Sequence, residues 1–292
     1  MQTQSKLGNC RADTVEVYRQ AVERTIDSME DHLADDFSLE DMARIGYMSP
    51  YHFNRVFRQV TGVPPVRFLG ARRLEMAKRL LLTTSMSVTD VCFEVGYNSL
   101  GTFTRRFTDL MGVPPNRFRA LAEGISAEAG QDITEEAVEV GPGRAGIRGR
   151  VRVDEDFDGL IFVGLFKTAI PQGRPVACAI LVDGGAFRLP MIADGRYHLF
   201  AIGLPWSTDP KHYLLYEDAL RGGYPNQFLT VEDGVVEGET ELELRPPEPF
   251  DPPILMTFPL LIRKRLQRLF GVDREEAVRL NDPETVLQQA AV

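Results

Sequence analysis

SPYHFNRVFRQVTGVPPVRF at residues 49–68 decides the fold, because NSLGTFTRRFTDLMGVPPNRF at residues 98–118 repeats its pattern. Nine residues of the first stretch recur in the same order 50 positions later. They are Phe53, Arg55, Phe57, Gly62, Val63, Pro64, Pro65, Arg67 and Phe68. A repeat with this period indicates two copies of one supersecondary unit.

Each copy predicts two helices joined by a tight turn. In the first copy, Ser38 is a favourable N-cap and Asp41 is its acidic capping partner, so a short helix begins there. A turn at 46–48 follows, and the Ser-Pro pair at 49–50 begins a second helix that ends near Gly62. The second copy shows the same signals at Ser87, Asp90, Gly96 and Ser99. The sequence therefore predicts two helix-turn-helix units.

The second helix of the first copy has two unlike faces. Its apolar positions follow an i, i+3, i+4, i+7 pattern and must face a core. They are Phe53, Val56, Phe57 and Val60. The opposite stripe carries Tyr51, Asn54, Arg55 and Arg58. Arginine can read guanine and asparagine can read adenine in a major groove, while tyrosine packs or binds phosphate. The pattern favours a DNA-recognition helix over an amphipathic helix with a solvated arginine face.

The second helix of the second copy presents a smaller polar surface. Phe103, Phe107 and Leu110 are expected to face inward. The outward positions are Gly101, Thr104, Arg105 and Thr108. Because these side chains offer fewer hydrogen-bond donors, we expect this helix to specify fewer bases. Arg58 and Arg106 are as well suited to a phosphate as to a base.

Between the two copies, residues 65–84 predict one long helix with Arg72, Arg73, Lys78 and Arg79 around an apolar inner side. About 17 helical residues span roughly 25 Å. Such a strut can hold two recognition helices near one DNA turn apart, roughly 34 Å, so one chain could read two successive major grooves.

Composition and charge set limits on function. The chain has 292 residues, 43% hydrophobic and 26% charged, which is ordinary for a globular protein of two domains. The net charge is −9, but residues 49–122 carry 11 Lys+Arg against 4 Asp+Glu, so a phosphate-binding region is expected there. No apolar run is long enough for a membrane span and no secretory signal is visible, so a cytoplasmic location is expected.

The cysteines and histidines do not predict a metal site, a cofactor or a catalytic group. Cys10, Cys92 and Cys178 are too few and too scattered for a disulfide framework or a zinc site. His198 and His212 alternate with apolar residues in predicted strands, which favours packing over catalysis. We therefore expect no enzymatic activity.

Residues 15–119 resemble the AraC/XylS family of bacterial transcription regulators. The resemblance is carried by SLEDMA at 38–43, SPYHFNRVF at 49–57, VGYNSLGTFTRRF at 95–107 and the GVPP that closes each unit. It implies seven helices, of which two are recognition helices. The base-facing positions it implies are Pro50, Tyr51, Asn54 and Arg55, then Leu100, Gly101, Thr104 and Arg105. One departure is Tyr47, which stands where the family usually has glycine, so the first turn is expected to be altered. A related subgroup carries a DNA-repair methyltransferase with a Pro-Cys-His site, and VACAI around Cys178 does not match it.

The chain after residue 122 predicts a different architecture. Residues 123–144 are rich in Gly, Ala and Glu and are expected to be a linker. Short β-branched and aromatic runs separated by Gly, Pro and Asp then predict an antiparallel β-sandwich. The runs occupy 147–153, 160–166, 175–182, 196–204, 212–217 and 239–245. The segment GRYHLFA weakly resembles carboxypeptidase-regulatory or transthyretin-like sandwiches. A helix with a basic side is expected at 260–270.

These expectations define a multidomain chain with an all-α double helix-turn-helix domain, an antiparallel β-sandwich and a short C-terminal helix. The predicted divisions are 1–122 for the DNA-binding domain, 123–144 for the linker, 145–247 for the sandwich and 248–292 for a Pro-rich segment and helical tail. Residues 1–122 are expected to fold alone.

The expected function is sequence-specific DNA binding by a transcription regulator whose sandwich binds an effector or partner. The alternative is a DNA-binding module whose sandwich only mediates oligomerisation or protein contacts. Double-stranded DNA is the expected partner, a small-molecule effector and RNA polymerase are candidate partners, and no membrane is expected. The acidic C-terminal part is expected to regulate by approaching Arg55, Arg58, Arg72 and Arg73 in competition with phosphate.

Overall fold

The computed structural model describes residues 12–122, 145–182, 184–207, 211–223 and 226–257. The first of these ranges is entirely helical apart from its turns. Its helices are α1 (Ala12–Asp31), α2 (Leu39–Ile45), α3 (Pro50–Thr61), α4 (Pro65–Thr83), α5 (Val88–Glu94), α6 (Leu100–Met111) and α7 (Pro115–Ala122). These are the seven helices that the resemblance implied.

The predicted capping residues begin and end these helices. Ser38 caps α2 and Ser87 caps α5, and each forms a complete capping box with the aspartate three residues later. Gly62 and Gly112 follow α3 and α6 in the left-handed conformation, with φ of 74° and 79°. Because a side chain disfavours this conformation, glycine is favoured at both helix ends.

The sequence repeat is visible in the packing of the helical part. In the first unit the rings of Phe53, Phe57 and Phe68 follow one another with centroids 5.5 and 5.4 Å apart. The equivalent series in the second unit is Phe103, Phe107 and Phe118, with centroids 5.7 and 5.4 Å apart. All six side chains are fully buried. Each unit therefore has its own aromatic centre, and α4 contributes the last ring of the first.

The C-terminal part is built from two sheets, which agrees with the sheet-rich region that the sequence predicted. Its strands are β1 (Ala145–Arg152), β2 (Gly159–Phe166), β3 (Ala177–Val182), β4 (Gly185–Ile192), β5 (Gly195–Pro205), β6 (Leu220–Gly222), β7 (Leu229–Glu232), β8 (Val235–Glu237) and β9 (Glu241–Glu243). One sheet has the order β4-β1-β9 and the other β3-β2-β5-β7-β8, with β6 paired to β5. Apolar residues of both sheets share one buried cluster, so the sheets pack face to face.

Two sequence expectations for this part were wrong. The run at 212–217 is not a strand, because α8 (His212–Leu215) forms there and buries Tyr213 and Leu214. In addition, β1 pairs with β9 in parallel, so the strands are not all antiparallel. The likeness to transthyretin-like sandwiches stays a prediction.

The helical and sheet-rich parts pack against each other through apolar residues. Ile170, Leu214, Phe250 and Leu255 from the C-terminal part belong to the same buried cluster as the helical core. Removing the chain after residue 122 would expose that surface, so independent folding of 1–122 is not supported by this packing.

Three other expectations lie outside the described residues. They are the linker at 123–144, the helix at 260–270 and most of the tail that ends at 292. Within the described part, no helix is long and apolar enough to cross a membrane.

Candidate nucleic-acid interface

The outer face of α3 carries the polar side chains that the sequence assigned to DNA. Tyr51, Asn54, Arg55 and Arg58 are all exposed, and Tyr51 retains 85% of its surface. Pro50 is the first residue of α3 and is partly buried. Phe53, Val56 and Phe57 on the opposite side are buried. The helix is therefore anchored by one face and presents a tyrosine, an amide and two guanidinium groups on the other.

One contact on this face was missed by sequence reasoning. Nη2 of Arg55 lies 3.2 Å from Nδ1 of His52, one helical turn earlier, so the guanidinium can donate to the neutral imidazole. The His52 ring also contacts Tyr18 of α1 edge to face, with centroids 5.6 Å apart. Arg55 is thereby held towards the amino end of α3. The i, i+3 spacing of His52 and Arg55 is the sequence signal that could have indicated this pair.

The outer face of α6 is smaller, as the sequence indicated. Leu100, Gly101, Arg105 and Arg106 are exposed and Thr104 is partly buried. The Arg106 side chain extends back to α4 and lies beside Gly70. A Cβ placed on Gly70 would be 3.6 Å from Nη2 of Arg106. Arg105 is thus the guanidinium that the second unit presents most freely.

The turn of each unit contains one residue in the left-handed conformation, a tyrosine in the first unit and a glycine in the second. In the first turn Tyr47 has φ of 55° and its amide donates to Arg44, while in the second Gly96 has φ of 80° and its amide donates to Phe93. The turn is therefore altered in sequence rather than in shape. Tyr47 is 86% exposed, and its ring lies 5.8 Å from the Arg24 guanidinium.

Arg72 and Arg73 do not form a free basic face, because both donate hydrogen bonds within the protein. That the acidic C-terminal part competes with phosphate stays a prediction. Arg72 donates to Glu75 at 2.9 Å and to the carbonyl of Pro249 at 3.2 Å. Arg73 donates to the carbonyls of Leu33, Asp35 and Gly96 at 2.8, 2.6 and 3.2 Å. Burial lowers the pKa of Arg73, and Tyr97, Asp36 and Asp35 oppose that change. Arg72 therefore connects α4 to the C-terminal part, and Arg73 connects α4 to backbone of both helical units.

The C-terminal part contacts α4 rather than the recognition faces. Lys78 is buried: its ammonium donates to the carbonyl of Ile254 at 3.0 Å and lies 4.4 Å from the centre of the Tyr216 ring. Burial lowers the pKa of Lys78 to about 7, while Glu75 raises it and Arg221 lowers it further. The sequence placed Lys78 among exposed basic residues, because its burial depends on a segment 176 residues later.

Further contacts complete this junction. Thr257 donates its hydroxyl to the Met111 carbonyl at 2.7 Å, and the Gly173 amide donates to the Leu110 carbonyl at 2.6 Å. Arg79 pairs with Glu217 at 3.0 Å. The C-terminal part therefore touches α4 and the last turn of α6. In the described ranges, no group of three His, Cys, Asp or Glu side chains could hold a metal ion.

Comparison with known families identifies the helical part. Residues 42–121 match the family described as "Helix-turn-helix domain". This range begins in α2 and ends in α7, so it includes both turns and both exposed helix faces. Residues 42–121 therefore form a helix-turn-helix domain of the kind found in DNA-binding transcription regulators.

Curated relatives are similar over part of this chain. The chain is 34% identical over 74 residues to the uncharacterized HTH-type transcriptional regulator YbfP of Bacillus subtilis, covering 25% of each chain. It is 38% identical over 65 residues to the HTH-type transcriptional activator RhaS of Enterobacter sp., covering 22% of this chain and 23% of that one. The chain thus spans about a quarter of the length of these relatives.

Solved structures are similar over a larger share of this chain. The DNA-binding domain of AdpA, solved in complex with a target DNA, is 30% identical, with a TM-score of 0.33 and coverage of 37% of this chain and 93% of that one. A transcriptional regulator from Chromobacterium violaceum, described as containing an AraC-type DNA-binding domain, is 24% identical, with a TM-score of 0.34 and coverage of 35% and 91%.

Proposed function

We propose that the chain is a sequence-specific DNA-binding transcription regulator of the AraC type, in which α3 and α6 enter successive major grooves. The observation that carries this proposal is the repeated division of the two 12-residue helices into a buried aromatic face and an exposed polar face. At 19 residues, α4 is about 28 Å long, which is close to one turn of the duplex, roughly 34 Å.

The proposed base-facing residues come from the exposed side of each helix. They are Pro50, Tyr51, Asn54 and Arg55 on α3 and Leu100, Gly101, Thr104 and Arg105 on α6. Arg58 and Arg106 are proposed to bind phosphate or a base. Arg55 is the strongest candidate, because its bidentate guanidinium suits guanine and His52 already restricts its position.

A selection experiment with the full chain tests this proposal. The protein would be used to enrich duplexes from a random library, and its affinity for enriched and scrambled duplexes would be measured at one salt concentration. Arg55→Ala should weaken binding to the enriched duplex by about 1–3 kcal/mol and binding to the scrambled one much less. Arg188→Ala, which removes an exposed arginine of β4, is the matched control. Failure to enrich any sequence would refute the proposal.

We further infer that the C-terminal part regulates the helical part through its contacts with α4. Buried Lys78 and Thr257 tie it to the helix that spaces the recognition helices and to the end of α6. A ligand or partner that prefers one arrangement of this junction would shift the DNA-binding equilibrium by its difference in affinity. RNA polymerase is a further candidate partner.

The alternative is that the C-terminal part contacts protein and binds no effector. A cavity between Pro171, Phe200, Arg221 and Ile254 has a volume of only about 20 Å³. Small-molecule sites usually enclose about 300–1,000 Å³. Native mass spectrometry of the purified full chain separates the two. A retained small molecule supports the effector, and a ligand-free dimer supports the alternative.

A further inference from the structure

Arg73 joins the two helix-turn-helix units across α4. Its Nε and Nη2 donate to the carbonyls of Leu33 and Asp35, which lie between α1 and α2 in the first unit, at 2.8 and 2.6 Å. Its Nη1 donates to the carbonyl of Gly96 in the turn of the second unit at 3.2 Å. One guanidinium therefore binds backbone from both units. Hydrogen bonds from a charged donor are stronger than neutral ones, and the planar guanidinium fixes their directions.

The backbones of the two units also touch at this point. A Cβ on Gly96 would lie 2.5 Å from the Leu33 carbonyl oxygen and 3.1 Å from Cα of Ala34. It would also lie 3.0 Å from Cζ of Arg73. No side chain fits there, so the second turn rests directly on the chain that follows α1. We name this contact the seam, formed by Leu33, Ala34, Asp35, Arg73 and Gly96.

The seam attaches the two units to each other in addition to α4 and to the buried apolar cluster that both units share. A single helix fixes two bodies at its ends, but bending of the helix still changes the angle between them. A contact away from that axis removes much of this freedom. Because the carbonyl of Gly96 belongs to the turn that leads into α6, displacement of that turn would move the second recognition helix.

We propose that Arg73 is a positioning residue that fixes the spacing and orientation of α3 relative to α6, so that the chain discriminates DNA sites by the distance between their two halves. This inference rests on the proposed function, in which both helices enter the same duplex. Arg73 touches no base in this arrangement. It acts through the seam.

Arg119 provides a matched control. It donates from α7 to the carbonyls of Leu81 and Met86 at 2.9 and 2.5 Å. These acceptors lie at the end of α4 and just before α5, so its bonds stay within the second unit. Arg119→Ala removes the same type of interaction as Arg73→Ala and leaves the seam intact.

The test measures the affinity of the full chain for duplexes enriched by the wild-type protein. One duplex keeps both halves at the selected spacing, two have it changed by one base pair in either direction, and two have one half scrambled. One base pair shifts the second half by about 3.4 Å and about 34°. Arg73→Ala should bind the selected duplex about tenfold more weakly. Once one recognition helix is bound, a less rigid chain lowers the effective concentration of the other helix at its half of the duplex. Its affinity for either single half should change less than about twofold.

The decisive readout is the penalty for altered spacing. In the wild type a change of one base pair should weaken binding, and in Arg73→Ala this penalty should shrink towards zero. Arg119→Ala should keep the penalty while weakening the second half. Arg73→Lys retains the charge but not the planar set of donors. Its spacing penalty should lie between those of the wild type and Arg73→Ala. An equal loss on every duplex, or an unchanged spacing penalty, would overturn the proposal.

A DNA-free measurement covers the case in which the proposed function fails or Arg73→Ala does not fold. Spin labels at Gln59→Cys and Thr102→Cys, both exposed, report the distance between α3 and α6 in a chain with Cys10 and Cys178 replaced by serine. The distance distribution should broaden in Arg73→Lys and remain narrow in Arg119→Ala. An unchanged distribution in Arg73→Lys would refute the positioning role, whatever the chain binds.

Discussion

The two helical units have the same arrangement of aromatic rings and differ in their turns and outer faces. Phe53 and Phe57 pack in the first unit as Phe103 and Phe107 pack in the second, and ring distances agree within 0.2 Å. The residue with positive φ in the turn, however, is Tyr47 in one unit and Gly96 in the other.

The difference shows which constraint acts at each turn. Tyr47 is 86% exposed, so a side chain there meets no neighbouring unit. Gly96 lies against the Leu33 carbonyl, and a Cβ would be only 2.5 Å away. The left-handed conformation alone costs a non-glycine residue roughly 1–2 kcal/mol, which a protein can tolerate. Glycine becomes obligatory only where a second unit approaches the turn.

The outer faces differ for another reason. Asn54 and Thr104 occupy equivalent positions, and so do Tyr51 and Gly101. None of these side chains is needed for the core, so packing does not constrain them. Surface residues that are free of the core are the ones that can be adapted to a bound partner.

The largest expected effect comes from adding a side chain to the second turn. Gly96→Ala should lower the free energy of unfolding by about 3 kcal/mol, because backbone strain and the collision with Leu33 add. Tyr47→Ala in the first turn should change it by less than about 1 kcal/mol, since φ remains positive without a collision. Urea unfolding of the full chain measures both. Equal losses in the two turns would contradict the role assigned to the seam.

Lys78 lies on α4, which connects the two units, so the stability of both units should depend on pH in the same way. Since the folded pKa of Lys78 is lowered to about 7 from 10.5, the unfolded chain binds more protons between these values. Stability should therefore rise as the pH increases from 7 towards 10, by about 1 kcal/mol per pH unit. Lys78→Met should remove this slope in urea unfolding at pH 7 and 9.

The matched control for this titration is Arg79→Met, because Arg79 is an exposed neighbour on α4 that pairs with Glu217. It should keep the wild-type slope. If Lys78→Met also keeps it, the ammonium is not the titrating group. Hydrogen exchange in α3 and α6 should slow together as the pH rises, after correction for the intrinsic rate.

Exchanging the outer residues should exchange the base preference of the units. Thr104→Asn supplies a bidentate amide, and we expect about 1 kcal/mol more discrimination for adenine in the half-site read by α6. Asn54→Thr should lose a similar amount in the other half-site. Duplexes enriched by each variant from a random library reveal the change. An unaltered preference in both variants would show that these positions do not face bases.

The smallest expected effect is a gain of stability at the first turn. Tyr47→Gly removes the left-handed strain, but glycine also raises the entropy of the unfolded chain. We expect a net increase of about 0.5 kcal/mol in the free energy of unfolding. The midpoint of urea unfolding measures it, with Tyr51→Gly inside α3 as a destabilising control. A loss at Tyr47→Gly would mean that the contact with Arg24 outweighs the strain.

Much of the helical part could be predicted because its signals are local. The capping pairs at Ser38 and Ser87, the helix-ending Gly62 and Gly112 and the aromatic stripes act within a few residues of themselves. In the C-terminal part the strand at 160–166 was predicted well, but residues 212–217 were misread. Short aromatic runs suit strand and helix alike, and only the packing of Tyr213 and Leu214 decides between them.

The sequence by itself determined two repeated helical units, their buried and exposed faces and the concentration of positive charge around them. Only the tertiary structure decided which basic residues remain available. Arg55 stays at the surface, Arg73 is bound to three carbonyls and Lys78 is buried under a segment 176 residues away. The physical reason is that helix periodicity fixes the direction of a side chain, whereas its burial depends on which distant backbone covers that direction.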